Sequence, residues 1–102
     1  MTQQPANPEL IVQNQDRKRF EWNVEGHMAF SEYIHVGERF FITHTEVPPA
    51  LEGRGIGSQL ILHLLQWIEA HQLQLVPLCP FTAAYLQRHP EWKRLLAPGF
   101  NV

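Results

Sequence analysis

Leu51-Glu52-Gly53-Arg54-Gly55-Ile56-Gly57 is the stretch on which the reading of this 102-residue chain turns, because two periodicities meet there. On its C-terminal side Ile56, Leu60, Ile61, Leu64, Leu65 and Ile68 recur at helical spacing, with Gln59, His63, Gln66 and Glu69 on the opposite side. On its N-terminal side Arg39 to about Val47 reads as a strand that Pro48-Pro49 ends, since proline supplies no ladder donor and restricts the residue before it. A strand, a glycine turn and a helix in succession leave unpaired backbone N–H groups at the positive end of the helix dipole, where an anion can be received. No Ser, Thr, Asp or Asn stands just before the first helical turn to cap those donors, so they stay available to a ligand. The turn has no Gly-Lys-Ser/Thr ending, unlike the phosphate loop of ATPases. It also lacks the early strand-turn-helix with an acidic residue about 20 positions on that marks a dinucleotide site.

Outward from the turn, the chain organises itself around this unit. Leu10-Ile11-Val12 reads as a short strand followed by a polar turn at Asn14 to Arg17. Phe20, Trp22 and Val24 alternate with Arg19, Glu21 and Asn23, the period of a half-buried strand. After a turn at Glu25-Gly26, Met28, Phe30, Ile34 and Val36 continue on one face of a second strand that Glu32 interrupts, and Gly37-Glu38 turns the chain again. Short connections of this kind imply an antiparallel meander. Beyond the long helix, Leu73 to Val76 is a short apolar strand that can pair in parallel with the Arg39 to Val47 strand, because a helix separates the two. Pro80 suits a first helical position and Pro90 closes the segment, so a second helix is expected from Pro80 to about Arg88, with one more turn over Glu91 to Leu96. The fold class expected is α/β (α+β), an antiparallel meander followed by strand-helix-strand-helix. One domain spans residues 9–102, behind a polar, proline-bearing tail over residues 1–8.

Composition narrows the function classes. Hydrophobic residues make up 44% and charged residues 18% of the chain, as in an ordinary globular domain. With a formal net charge of −2 there is no overall positive field to draw the chain onto nucleic acid or anionic lipid. The apolar run Leu60 to Leu62 is broken by His63, far short of the roughly 20 residues a membrane span needs. No basic segment followed by an apolar stretch opens the chain, and Cys79 is the sole cysteine, which fits a reducing, cytoplasmic setting. The six histidines show neither His-Glu-x-x-His spacing nor a Cys/His zinc set, so no metal is expected.

Cys79 directly precedes Pro80 and should fall near a helix N-terminus, a position that favours thiolate. It is a candidate nucleophile or proton donor, or else a small core cysteine. His44, on the strand before the turn, is a candidate base, with Glu46 as an alternative; either could equally face solvent.

His44-Thr45-Glu46-Val47-Pro48, Leu51-Glu52-Gly53-Arg54-Gly55-Ile56-Gly57 and Cys79-Pro80-Phe81 with Tyr85 and Arg88-His89-Pro90 together resemble the Gcn5-related N-acetyltransferases. More narrowly, they resemble their small one-domain branch, often called YjdJ-type or N-acetyltransferase domain-containing proteins. In that superfamily a strand, a Gln/Arg-x-x-Gly-x-Gly/Ala turn and a helix bind the pyrophosphate of acetyl-CoA; here Gly55 and Gly57 match. The resemblance implies an acetyl-CoA-dependent N-acetyltransferase acting on an amine or protein acceptor, or a CoA-binding interaction module without turnover. It implies that Thr45, Glu46 and Val47 border pantetheine, that Glu52, Gly53, Arg54, Gly55, Ile56, Gly57 and Ser58 hold the pyrophosphate, and that Arg88 reaches the phosphates. It implies that Tyr85 protonates the departing thiolate. Three departures stand out: Glu52 occupies a position where Gln or Arg is usual, the asparagine that usually precedes the tyrosine is missing, and so are the two helices that usually follow the first strand.

Overall fold

A computed structural model describes residues 6–102. Pro8–Leu10 is a single 3-10 turn, with Pro8 at its start and the Asn7 side chain accepting from the Glu9 N–H at 3.0 Å. That cap moves the first strand: β1 is Val12–Asn14 and not Leu10 to Val12 as the apolar run suggests. Of the tail expected over residues 1–8, residues 1–5 lie outside the described residues, and Asn7 and Pro8 belong to this turn.

β2 (Arg19–Val24), β3 (His27–Val36) and β4 (Arg39–Glu46) form the meander, then α1 (Ile56–Ala70), β5 (Gln74–Pro77) and α2 (Pro80–Arg88) complete strand-helix-strand-helix. A second 3-10 turn covers Pro49–Leu51 and a third covers Pro90–Leu95, where one more turn was expected. The five strands lie in sequence order in one sheet, antiparallel from β1 to β4, with β5 parallel to β4. The parallel pair follows from the crossover through α1.

One face of this sheet makes the core. Phe20, Trp22 and Val24 are buried on it, as their alternation predicts, and α1 lays Ile56, Leu60, Ile61, Leu64, Leu65 and Ile68 against it, none more than 2% exposed. Each such side chain contributes roughly 1.5–3 kcal/mol through burial. β3 reverses the sequence expectation. Its buried residues are Ala29, Ser31 and Tyr33, while Met28, Ile34 and Val36 are 37%, 50% and 63% exposed. The reason is cross-strand volume: Trp22 stands opposite Ala29 and Phe20 opposite Ser31, so the large residues of β2 fill the space and β3 can supply only small ones there. Apolar parity in β3 therefore marks the open side of the sheet.

β4 carries one extra residue. Tyr33 pairs with Ile42 but Glu32 pairs with His44, leaving Thr43 as a bulge whose hydroxyl donates to the Glu32 carbonyl at 3.2 Å. Before the bulge, Phe40 and Ile42 face the core; after it, Thr45 does, and His44 and Glu46 turn to the open side. No helix among the described residues is long and apolar enough to cross a membrane.

Candidate functional site

The parallel pairing of β4 and β5 ends early. Arg39 to Ile42 pair with Gln74 to Pro77, and then the N–H groups of Leu78 and Cys79 both donate to the Ile42 carbonyl, at 3.1 and 3.0 Å, turning the chain into α2. Thr43 to Glu46 are left paired with β3 alone, with an open backbone edge on the other side. That edge runs toward the glycine turn. Gly55 caps α1 in the left-handed region (φ 74, ψ 14) without any side-chain cap, so the first N–H groups of the helix, at Ile56, Gly57 and Ser58, have no partner within it.

Beyond the end of that edge, at the start of the helix, lies a cleft of about 160 Å³ lined by Val47, Leu51, Glu52, Gly53, Gly55, Ile56, Gly57, Ser58 and Phe81. A wider depression of about 510 Å³, lined by Gln13, Gln15, Lys18, Tyr33, His35, Trp67 and His71, lies by the opposite end of α1 and includes none of the glycine-turn residues. The smaller cleft is the better candidate, because free main-chain donors converge on it.

A profile of the GCN5-related N-acetyl-transferase family matches residues 19–95, which spans β2 to the last 3-10 turn. The chain belongs to the GCN5-related N-acetyltransferases. Among relatives, Protein NATD1 of Mus musculus is 28% identical over 88 residues, covering 83% of this chain and 80% of the relative. Protein NATD1 of Gallus gallus is 32% identical over 80 residues, covering 74% and 73%. A solution NMR structure of a GCN5-like protein from Staphylococcus aureus superposes with a TM-score of 0.69 at 21% identity, covering 89% of each chain, and so shares the fold.

Within this N-acetyltransferase fold, seven of the residues expected to bind cofactor line the cleft: Val47, Glu52, Gly53, Gly55, Ile56, Gly57 and Ser58. The others stand elsewhere. Thr45 turns inward, its hydroxyl 2.8 Å from that of Ser31 and accepting from the Cys79 thiol at 3.5 Å. Glu46 points to the open face. Arg54 donates to the Glu25 carboxylate at 2.7 Å, so this cation, expected at the pyrophosphate, is engaged by the β2–β3 turn. The Glu52 main-chain N–H closes the 3-10 turn onto the Pro49 carbonyl, and its exposed carboxylate makes no hydrogen bond among the described residues. Arg88 sits at the C-terminal end of α2, about 10 Å along the helix axis from Phe81.

The expected catalytic residues do not form one cluster. Cys79 is the N-cap residue of α2, as expected, yet only 3% exposed and absent from the cleft lining. His44 lies on the opposite side of β4 from the Thr45–Cys79 contact, 3.5 Å from the Glu46 carboxylate and against the Phe30 ring. The two are not a nucleophile and its base. Tyr85 is buried in α2 and packs at a tilt against His89; burial pushes its phenol above the usual value, the Glu91 carboxylate adds to this and Arg88 opposes it, so the hydroxyl stays protonated. No group of three or more His, Cys, Asp or Glu residues that could hold a metal ion occurs among the described residues.

Sequence reasoning missed two residues that line the cleft, Leu51 and Phe81, and two that act beside it, Ser31 and Glu25. Phe81 was visible within Cys-Pro-Phe, but only the structure sets its ring on Gly57, where two ring carbons lie 3.0 Å from the position a Cβ would take. Ser31, a small polar residue at a core-facing position of β3, was hidden by the misread parity. Glu25, the partner of Arg54, is 29 residues away along the chain and carries no local signal.

Proposed function

We propose that this chain is an acetyltransferase that uses acetyl-CoA and acts on an amine. The observation that carries the reading is the open edge of β4, Thr43 to Glu46, leading to the uncapped N-terminus of α1. The edge would hold pantetheine as it would hold an added strand, and the Ile56, Gly57 and Ser58 N–H groups would hold the diphosphate. In the transfer, the amine nitrogen bonds to the thioester carbonyl carbon and the C–S bond breaks; the amine loses a proton and the leaving thiolate gains one.

For the second proton transfer we take Tyr85, the tyrosine of the family pattern, whose buried phenol carries its proton at neutral pH but does not line the cleft described above. The surroundings of Cys79 favour packing or proton donation over an acyl carrier: the thiol is buried, and among the described residues its hydrogen bond goes to the Thr45 hydroxyl and not to an imidazole. A reading without turnover, as a CoA-binding module, draws support from one fact: among the described residues Glu52 is the sole titratable side chain lining the cleft.

Calorimetric titration with acetyl-CoA, followed by thiol release in the presence of amines and peptide N-termini, separates these. Heat and amine-dependent thiol release are expected. Heat without release from any acceptor would favour the module. No heat at millimolar coenzyme, from wild type and from a Phe81→Ala variant that widens the cleft, overturns the cofactor reading. Intact mass after incubation with acetyl-CoA should show no adduct that depends on Cys79; an adduct lost in Cys79→Ala would restore the acyl carrier.

A further inference from the structure

Gly57 is helical, with no left-handed angle to explain a glycine there. Its missing side chain is explained by Phe81: a Cβ at Gly57 would overlap Cζ of that ring, with Cε1 and Cε2 at 3.0 Å. The ring is thus seated on the first turn of α1, at the same backbone that offers free N–H groups. The cleft that remains holds about 160 Å³, against roughly 300 Å³ or more for sites that enclose drug-sized ligands. The neighbours of Phe81 show which part can move. Cys79 and Thr82 are buried on either side, and Pro80 fixes the backbone between them, whereas Phe81 itself is 37% exposed. The side chain has solvent to rotate into while the helix stays in place.

We propose that Phe81 is the gate of the cofactor cleft, closed over Gly57 in the free protein and swung outward to admit the coenzyme. The proposal rests on the acetyl-CoA reading above and adds to it the residue that controls entry. Gly57 is the seat of the gate. Enlarging that residue to alanine pushes the ring off, since the overlapping atom is the free end of a side chain that can yield.

The test combines stopped-flow kinetics of coenzyme A binding with NMR of ring-13C-labelled phenylalanine, the Phe81 signals being assigned by their loss in Phe81→Leu. Phe81→Ala should speed association on the order of tenfold and Phe81→Leu less, with circular dichroism melts confirming that each variant is folded. Without any ligand, Gly57→Ala should shift the Phe81 ring signals, and in wild type coenzyme A should shift them too. If wild type gives no heat but Phe81→Ala does, the gate is present and tightly closed. If coenzyme A binds wild type and Phe81→Ala at the same rate and leaves the Phe81 signals unmoved, the gate is wrong and the cofactor reading stands. Failure of both proteins to bind overturns gate and cofactor reading together.

Discussion

Arg54, two residues beyond Glu52, is held outside the cleft, and that bears on the charge within it. In the free chain it donates to Glu25 on the β2–β3 turn, leaving Glu52 as the uncompensated charge beside the helix start. The pair is partly exposed, with side-chain exposures of 22% and 50%, and such pairs contribute about 0–1 kcal/mol. On the proposed acetyl-CoA reading, a coenzyme phosphate taking two parallel hydrogen bonds from Arg54 would compete with so weak a pair. Glu25→Gln should therefore tighten coenzyme A binding by up to about fivefold, and Arg54→Ala should weaken it, both read by calorimetry at fixed salt. The glycines of this site were legible because a strand, a turn and a helix meet there, whereas the Arg54–Glu25 pair was not, because a contact between distant turns leaves no periodicity. His44 shows the complementary limit: its place on β4 was read correctly, but Thr43 adds one residue and decides which side it faces.

Elements were legible to the degree that their punctuation was local. The apolar spacing from Ile56 to Ile68 gave α1, and Pro80 and Pro90 gave the bounds of α2. The start of α1 depends on Gly55 in the left-handed region, and a Cβ there would meet nothing within 4 Å. Gly55→Ala therefore isolates the backbone effect and should lower stability by about 1–2 kcal/mol in urea unfolding. On the flank of α1, His63 packs edge-on against Phe20, and burial lowers its pKa. The unfolded chain takes up that proton near pH 6.5 while the folded chain resists it. His63 thus contributes full stability above about 6.5, and the contribution is lost as pH falls through the lowered folded value. Denaturation midpoints of His63→Gln measured from pH 8 to 5 should decline less on the acid side than those of wild type. β3 was misread because volume, not polarity, governs its core side: opposite Trp22 and Phe20 only Ala29 and Ser31 fit.

At the scale of the whole molecule, the sheet has one covered face and one open one. The buried cluster gathers on the side of α1, while Met28, Ile34 and Val36 stand in solvent. Two isoleucines on adjacent strands test this: Ile42→Ala should cost about 2–5 kcal/mol by leaving a cavity, and Ile34→Thr should stay within about 0.5 kcal/mol, both by chemical unfolding. The early parting of β4 from β5 has a consequence of another kind. In heavy water the amides of Thr43 to Glu46 that are bonded to β3 should keep their protons, while those turned to the gap trade them quickly, so rates along one strand alternate with side and not with depth. Occupancy of the gap would then register first as slowed isotope uptake at those few positions, before any change in the outline of the protein.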